Sequence, residues 1–237
     1  KNRMPIHYEN IVPWGRAYIE YVNMFDLKPD FLSKKVLGCG DGPAAFNSVG
    51  NAFGGNITSI DPIFSLTKKE IEKRIDQTFG EVIDQTKANM DKFNWEMFGN
   101  VEGLGKIRMK SMLQFLSDFE QGLEEGRYIA AELPKLPFED NSFDLALCSH
   151  FLFLYSEHLD LDFHIKAISE MLRVASEVRI FPVVDLNANR SIHLDAVMKM
   201  FPNSELVKVN YEFQKGGNQM LRIKHEDSKT QIEIRKE

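Results

Sequence analysis

The chain has 237 residues, of which 43% are hydrophobic, and a formal net charge of −6 at pH 7. This length supplies one hydrophobic core with room for an elaboration, and the acidic balance argues against a nucleic-acid partner, whose electrostatic footprint is normally basic. No apolar run approaches the roughly 18–20 residues that span a bilayer, and the polar start lacks the apolar stretch of a secretory signal, so no membrane association is expected.

The first predicted element is an amphipathic helix. Tyr18, Val22 and Phe25 recur at helical spacing, which predicts a helix over residues 14–25. Trp14 and Arg16 stand at its head and have two interpretations. They are either a core anchor and a solvated helix residue, or side chains that contact a ligand bound by the sheet.

The second element is a strand, a glycine turn and a helix within residues 35–46. An apolar run leads into alternate glycines and a proline: Gly38, Gly40, Gly42 and Pro43. Glycines allow positive φ and close approach of a ligand to the backbone. A helix beginning at Pro43 would direct free N–H groups at the turn. Such a turn at the carboxyl end of a strand holds a nucleoside cofactor in open α/β sheets, although a merely tight βα turn has the same pattern.

The next predicted strand, residues 57–61, ends in an acidic residue. Asp61 lies about 20 residues after Gly40, the spacing at which a carboxylate accepts both ribose hydroxyls of a bound nucleoside. The alternative is that Asp61 caps a helix or forms a turn before Pro62. The spacing favours the ribose role.

Residues 64–126 are predicted to form a small helical cap, because a structureless insertion of that length is improbable. A capping box at Thr67 and Glu70 opens the first of three helices. The second is expected to break at Gly99, and the third to follow Gly103 and Gly105. The methionines and phenylalanines of this cap favour core packing over a ligand pocket, although a lid of this kind can also shield a site from water.

The third and fourth strands are predicted at residues 128–131 and 143–149. The fourth is apolar throughout, as expected for a strand buried on both faces of a parallel sheet. It ends at Ser149 and His150. Because the unperturbed pKa of histidine lies near neutrality, His150 can act as a general base; a hydrogen-bonded structural histidine is the alternative.

Two cysteines, Cys39 and Cys148, fall at the ends of the first and fourth strands. If these strands are neighbours, the two thiols approach each other and stay reduced. A pair of unbridged cysteines indicates a reducing compartment, so the cytoplasm is the default expectation.

The remaining elements complete the sheet. The sequence predicts a helix at 164–174, a strand at 177–181, a helix at 191–201 and a hairpin of strands at 206–213 and 220–224. Residues 231–235 are either one more edge strand or a frayed tail.

The segment Leu136-Pro137-Phe138-Glu139-Asp140-Asn141-Ser142-Phe143-Asp144-Leu145 resembles the connection between the third and fourth strands of class I S-adenosylmethionine-dependent methyltransferases. With the glycine turn and Asp61, the resemblance covers residues 35–63 and 128–226. It implies one α/β domain over residues 1–237, with residues 1–30 as an N-terminal helical cap. The expected architecture is a seven-stranded, mostly parallel Rossmann-like sheet with an antiparallel C-terminal hairpin and a helical insertion after strand 2.

The resemblance also implies S-adenosylmethionine as the cofactor, with no metal. It puts Glu132 near the adenine, Arg16 near the methionine end, and Ser149 and His150 at the sulfonium, with His150 as the catalytic base. The expected cofactor contacts are Arg16, Gly38, Cys39, Gly40, Asp41, Gly42, Asp61, Pro62, Glu132, Leu133 and Ser149. One departure is that the acid usually carried at the head of the glycine motif is absent, with Gly38 where it would align. That acid normally helps to hold the methionine ammonium group.

The expected reaction is methyl transfer to a small-molecule acceptor, because no nucleic-acid-binding appendage is visible. The Asn/Asp-Pro-Pro-aromatic signature of amino-nitrogen DNA and protein-glutamine methyltransferases is absent as well. Three alternatives stay open: a nicotinamide-dependent oxidoreductase, a non-catalytic methyltransferase-like binding protein, and a module that docks a protein partner through the helical cap. The oligomeric state is not predicted.

Overall fold

The computed structural model describes residues 4–225, so the predicted strand or tail at residues 231–235 lies outside the described residues. Thirteen helices and strands are joined by loops and short 3-10 turns. In chain order they are α1 (Tyr18–Met24), β1 (Lys35–Cys39), α2 (Phe46–Ala52), β2 (Asn56–Ile60), α3 (Lys68–Ala88), α4 (Val101–Glu124), β3 (Tyr128–Ile129), β4 (Phe143–Ser149), α5 (Leu161–Val174), β5 (Ala175–Phe181), α6 (Leu194–Met200), β6 (Ser204–Lys208) and β7 (Gln219–Lys224). Among residues 4–225, no helix is both long and apolar enough to cross a membrane.

The seven strands form one sheet in the order β3-β2-β1-β4-β5-β7-β6. Strands β1 to β5 pair in parallel, whereas β7 is antiparallel to both β5 and β6. The fold class predicted from the sequence is therefore confirmed. Cys39 lies opposite Cys148 in the β1–β4 register, and both cysteines are buried and free, which confirms their predicted approach. The strand order reverses between β1 and β4, where ligands bind in open α/β sheets.

The core lies on both faces of the sheet, because successive residues of a strand point to opposite sides. Leu37 and Cys39 of β1 pack in the cluster that includes α5 and α6, whereas Val36 packs in the cluster that includes α1 and α2. The sheet is thus covered on both sides. Its carboxyl-end rim is the place where loops meet.

The N-terminal helix begins later than predicted, at Tyr18 rather than residue 14. Residues 11–17 instead run without helical structure against the glycine turn. Gly15 explains this course, since a Cβ at that position would lie 2.1 Å from the Pro43 carbonyl oxygen. A helical turn here would separate the two segments.

The helix after the glycine turn also begins later, at Phe46 rather than Pro43. The reason lies in the same two segments, because the Ala45 backbone N–H donates to the Arg16 carbonyl at 3.0 Å. The prediction of a helix N-terminus at Pro43 was therefore wrong. The turn itself is longer than expected and is tied to the N-terminal segment.

The insertion contains two long helices rather than three. The capping box is confirmed, because the Thr67 hydroxyl accepts from the Glu70 backbone and the Glu70 carboxylate accepts from the Thr67 backbone. Gly103 and Gly105 do not precede a helix but lie inside α4. A Cβ on Gly105 would lie 3.3 Å from the Phe79 ring, so this glycine marks the close packing of α4 on α3 and not a break.

Several other bounds differ by a few residues from the sequence prediction. Strand β3 has only two residues, because the chain leaves the sheet towards a tight bridge between Glu132 and Lys135. Helix α5 begins at Leu161, three residues early, because Asp160 caps it by accepting from the Phe163 backbone at 2.8 Å. Strands β5 and β6 also begin two residues early, and α6 is shorter than predicted at both ends.

Candidate functional site

A cavity of about 750 Å³ opens at the carboxyl-end rim of the sheet. Its volume is in the range of roughly 300–1,000 Å³ that is typical of small-molecule sites. Most of the predicted site residues line it: Arg16, Gly40, Asp41, Gly42, Asp61, Pro62, Glu132, Leu133, Ser149 and His150. Gly38 and Cys39 are buried within β1 and do not line it. We call the part near the glycine turn and Asp61 the nucleotide end, and the part near His150 and Arg16 the histidine end.

The glycine turn forms the floor of the nucleotide end. Gly40 has a φ of +70° and Gly42 a φ of +52°, a left-handed conformation that strains other residues. The Gly42 N–H donates to an Asp61 carboxylate oxygen at 2.9 Å. The turn after β1 is thereby fixed to the residue that follows β2, and the backbone there is open to a ligand.

Asp61 itself fits both interpretations drawn from the sequence. Its other carboxylate oxygen accepts from the Ile63 backbone at 2.9 Å and caps the 3-10 turn Pro62–Ser65. Each oxygen thus has one protein donor and retains a lone pair for another. Burial raises the pKa of Asp61 to about 6. The ribose role stays a prediction, and the remaining lone pairs are compatible with it.

A second carboxylate, Asp41, occupies the space beside Gly38. It accepts hydrogen bonds from the Tyr21 hydroxyl at 2.9 Å and the Ser59 hydroxyl at 2.6 Å. A Cβ on Gly38 would lie 1.9 Å from an Asp41 oxygen, so any other residue at position 38 would displace this carboxylate. The sequence showed that position 38 carries no acid; the structure shows that Asp41 fills the adjacent space. Burial raises its pKa to about 6.

The outer wall of the nucleotide end contains both polar and apolar side chains. Glu132 is exposed at the rim, whereas Leu133 and Ile63 are buried and contribute apolar surface. This is the arrangement expected around an adenine, a flat ring with polar edges. The adenine contact of Glu132 stays a prediction.

His150 follows β4 in a left-handed conformation, with φ of +52°. Its backbone N–H donates to the Phe181 carbonyl at 2.7 Å, which fixes the corner. Its Nδ1 lies 2.8 Å from the Ser149 hydroxyl oxygen, and among residues 4–225 its Nε2 has no hydrogen-bond partner. The ring therefore offers one nitrogen to the cavity.

The tautomer of this ring is linked to the Ser149 hydroxyl. The Tyr21 hydroxyl donates to Asp41 at 2.9 Å. Either the Ser149 hydroxyl or His150 Nδ1–H can be the donor between these two residues, and when Nδ1–H donates, the lone pair lies on Nε2. Burial and the nearby charges of Arg16 and Arg108 hold the pKa of His150 well below its usual value, so the ring is neutral at pH 7.

Arg16 lines the cavity without an internal partner. Its Nε is sealed from solvent and has no hydrogen bond, and its guanidinium makes no ion pair with any of the described residues. Burial, followed by the charge of Arg108, lowers the pKa of Arg16. Trp14, two residues earlier, lines the same cavity and also packs on Phe79 at 5.5 Å between ring centroids. Its position is therefore compatible with both interpretations drawn from the sequence, a core anchor and a ligand contact.

Sequence reasoning missed a buried ion pair behind the histidine end. Arg108 of α4 is fully buried, and its Nη1 donates to the two oxygens of Glu20 in α1 at 2.8 and 2.6 Å. The Tyr211 hydroxyl donates to Glu20 at 2.8 Å. One signal was available: Arg108 lies four residues from both Leu104 and Met112 on the apolar face of α4, where an arginine requires a buried partner.

The aromatic run after β4 divides between the cavity and the core. Phe151, Leu154 and Tyr155 line the cavity, as expected from the sequence, whereas Leu152 and Phe153 are fully buried in the core. Apolar residues from other segments complete the histidine end: Ile6, Tyr8, Val12, Val82, Phe93, Leu186 and Phe213. In the part of the chain that the structure describes, no group of three or more His, Cys, Asp or Glu residues could hold a metal ion.

Comparison with known proteins adds the following likenesses. Residues 108–177 match a family described as "Methyltransferase domain". The chain is 37% identical over 221 residues to the uncharacterized protein MJ0045 of Methanocaldococcus jannaschii, which covers 92% of this chain and 98% of that protein.

Two solved structures align with most of this chain at low sequence identity. WbdD, crystallised with a kinase inhibitor, has a TM-score of 0.49 at 10% identity, over 87% of this chain and 40% of that chain. A SAM-dependent methyltransferase from Aquifex aeolicus has a TM-score of 0.41 at 14% identity, over 86% of this chain and 90% of that chain. Neither likeness identifies a substrate.

Proposed function

Because this chain belongs to the class I, Rossmann-like S-adenosylmethionine-dependent methyltransferases, with S-adenosylmethionine as cofactor, we propose that it is an active enzyme that methylates a small molecule. The observation that carries this proposal is that one cavity is lined both by the glycine turn with Asp61 and by a histidine whose Nε2 has no hydrogen-bond partner among residues 4–225. A protein that only binds the cofactor has no need of the second feature.

The residues at the nucleotide end fit the cofactor. The turn at Gly40 and Gly42 leaves room for close approach to the backbone, and Asp61 retains lone pairs for the ribose hydroxyls. Asp41 is the carboxylate available for the ammonium group of the methionine moiety, in the role left open at Gly38. When bound, the cofactor supplies a methyl group on a positively charged sulfonium.

The histidine end provides the remaining groups. His150 Nε2 accepts the proton that the attacking atom of the acceptor loses and passes it to solvent. This role requires the tautomer in which Nδ1–H donates to the Ser149 hydroxyl and Nε2 holds the lone pair. Because the pKa of His150 is low, the base is already neutral at physiological pH.

The walls of the cavity position the methyl acceptor. The N-terminal segment, α3 and the loop after β4 enclose it with apolar side chains, which exclude water and hold the acceptor against the base. Holding two reactants in near-attack geometry is the main source of acceleration expected for methyl transfer. A covered cavity of about 750 Å³ favours a small molecule over a macromolecular acceptor.

The test has two steps. Thermal shift and calorimetry with S-adenosylhomocysteine and with NAD measure which cofactor stabilises the fold, and we expect only the first to do so. Radiolabelled S-adenosylmethionine is then incubated with the protein and a metabolite library, and transfer into the small-molecule fraction is expected. Stabilisation by NAD alone would contradict the cofactor. Binding of S-adenosylhomocysteine without any transfer would instead support the non-catalytic alternative.

A further inference from the structure

We propose that residues 6–14, which we call the strap, form a gate over the histidine end of the cavity, and that Gln85 and Asn187 hold this gate closed. A small molecule reaches the histidine end when residues 6–8 detach from both side chains. The inference goes beyond the proposed function, because a gate admits any ligand of this end, whether or not a methyl group is transferred.

The strap crosses the cavity as irregular chain. It contains no helix or strand, and residues 4–15 make no backbone-to-backbone hydrogen bond with another described residue. Ile6 and Tyr8 are buried and the intervening His7 is exposed, so one side of the strap faces inwards. The strap residues that line the cavity are Ile6, Tyr8, Ile11, Val12, Pro13 and Trp14. Side chains of other elements must therefore hold the strap in place.

Two side-chain amides bind consecutive residues of the strap. Asn187, in the loop after β5, accepts from the Ile6 N–H at 2.7 Å and donates to the Ile6 carbonyl at 3.1 Å. Gln85 of α3 accepts from the His7 N–H at 2.9 Å and donates to the His7 carbonyl at 2.7 Å. Each amide thus satisfies both backbone groups of one residue, as a neighbouring strand would. The strap is therefore held between α3 and the loop after β5.

The loop after β4 makes two further contacts with the strap. His158 Nε2 lies 2.6 Å from the Tyr8 carbonyl oxygen, and the Tyr155 hydroxyl accepts from the Val12 N–H at 3.3 Å. Among the described residues, every hydrogen bond to the backbone of residues 6–12 comes from a side chain. Each such bond adds little net stability. Detachment of this segment should therefore cost less free energy than unfolding of the sheet.

The other end of the strap is fixed by backbone contacts. The Arg16 carbonyl accepts from the Ala45 N–H at 3.0 Å. A Cβ at Gly15 would lie 2.1 Å from the Pro43 carbonyl oxygen, so the two backbones are in close contact there. Packing this close resists movement. The strap is therefore expected to swing about residues 15–16 and to open at residues 6–8.

Apolar surface that borders the cavity lies beneath residues 6–8. Ile6 and Tyr8 belong to a cluster whose buried members all line the cavity and also include Val82, Phe93, Leu154 and Tyr155. Leu154 and Tyr155 lie on the loop that begins at His150. Release of residues 6–8 would therefore uncover the part of the cavity next to the proposed base.

The experiment measures amide hydrogen exchange of single residues by NMR. In Gln85→Ala the Ile6 N–H keeps its acceptor on Asn187. In Asn187→Ala the His7 N–H keeps its acceptor on Gln85. If the strap detaches as one unit, each variant should speed the exchange of the N–H that it leaves bonded by roughly threefold to tenfold, as expected for two lost hydrogen bonds. In the wild type, both N–H groups should exchange roughly tenfold or more faster than the Leu147 N–H within β4, because local opening precedes unfolding.

The matched control is Gln121→Ala. Gln121 is an exposed glutamine of α4 whose side chain donates to Glu125 and does not contact the strap. It should leave both strap rates within about twofold of the wild type, because distant changes act independently. Strap exchange no faster than that of Leu147 in the wild type would make the strap a fixed wall and overturn the gate. If neither Gln85→Ala nor Asn187→Ala sped the N–H that it leaves bonded, the two amides would not hold one unit, and the proposal would fail.

Access to the cavity is a second readout. Val82→Cys places a thiol beneath the strap, and the wild type, whose Cys39 and Cys148 are buried, is the blank. Labelling of this thiol by 5,5′-dithiobis(2-nitrobenzoic acid) should be roughly threefold or more faster when Asn187→Ala is added. Equal rates would show that the strap does not limit access and would overturn the gate. Neither measurement needs a ligand, so failure to bind S-adenosylhomocysteine would overturn only the proposed function.

Discussion

The nucleotide end of the cavity takes its polar groups from the ends of adjacent parallel strands, whereas the histidine end combines His150, which follows β4, with polar groups from segments that are far apart in the chain. Gly42 and Asp61 follow β1 and β2, which pair directly. The charged and polar groups behind the histidine end come from α1, α4 and the segment between β6 and β7, through Glu20, Arg108 and Tyr211. Ends of neighbouring strands meet in any such sheet, but the second set meets only if the whole molecule folds.

The two ends also differ in how well their charges are satisfied. At the nucleotide end each oxygen of Asp41 and Asp61 accepts a hydrogen bond from the protein. At the histidine end, buried nitrogens of Arg16 and Arg108 are left without one. The carboxylates of the nucleotide end are therefore held in place by the protein itself, while part of the positive charge at the histidine end is left without hydrogen-bond partners.

The largest expected effect is on chemistry at the histidine end. His150→Asn removes the base but keeps a residue that tolerates a φ of +52°. Methyl transfer should fall by roughly 10²–10⁴-fold, the span for loss of a general base, with the affinity for S-adenosylhomocysteine unchanged. Steady-state kinetics and calorimetry measure the two quantities. Weaker cofactor binding with normal turnover at saturation would mean that His150 is a wall of the nucleotide end and that the two ends are not separate.

The next effect is on the assembly of the histidine end. Glu20→Ala leaves the fully buried Arg108 without its carboxylate, so the free energy of unfolding should fall by about 3–5 kcal/mol. The matched control is Glu205→Ala, which removes the exposed partner of Arg222 and should leave the free energy of unfolding almost unchanged. Urea denaturation measures both. Similar small losses for the two variants would show that the Glu20–Arg108 pair does not hold the end together.

A smaller effect is expected at the nucleotide end. Asp61→Ala should weaken S-adenosylhomocysteine binding by about 1.5–3 kcal/mol, the range for hydrogen bonds to a charged group. Because the pKa of Asp61 is about 6, wild-type affinity should also decline as the pH falls through 6, when the carboxylate loses acceptor lone pairs. Asp61→Asn, which keeps one carbonyl oxygen, should lose less affinity than Asp61→Ala. It should not show the part of the pH dependence that protonation of Asp61 causes. Unchanged calorimetric affinity in a folded Asp61→Ala protein would reduce Asp61 to a turn residue.

The smallest effect concerns the loop that forms the aromatic wall of the histidine end. His164 Nε2 accepts from the Phe153 backbone at 2.9 Å, and its Nδ1 lies 2.7 Å from the Asp160 carbonyl, so the folded protein needs the neutral ring. Burial lowers the pKa of His164; Asp160 opposes this shift, and His193 adds to it.

The sign of the pH effect follows from that shift. A histidine with a lowered pKa in the folded state contributes its full stability above the unfolded value of 6.5 and loses it as the pH falls through the folded value. Denaturant midpoints of the wild type should therefore decrease below pH 6.5 more steeply than those of His164→Gln. His150 titrates with the same sign but is present in both proteins, so the difference isolates His164. Parallel curves would contradict the assignment.

Features that depend on a single strand and its end were predictable from the sequence, and contacts between segments were not. The glycine turn, Asp61 and the cysteine pair of β1 and β4 were predictable because each depends on a strand and the residues at its end. The helix starts at Tyr18 and Phe46 were not, since the contact between Arg16 and Ala45 overrides local helical preference. Gly105 shows the same limit, because its role is packing against Phe79 and not ending a helix.

The sequence by itself determined the class of fold, the family and the strand ends at which the glycine turn, Asp61 and His150 lie, because strand periodicity and glycine turns act over a few residues. The tertiary structure alone decided that Asp41 fills the space beside Gly38, that Arg108 pairs with Glu20, and that Arg16 is left without a partner. The physical reason is range. Burial and charge pairing depend on segments separated by as many as 191 positions, as for Tyr211 and Glu20, and no local pattern records which of them will meet.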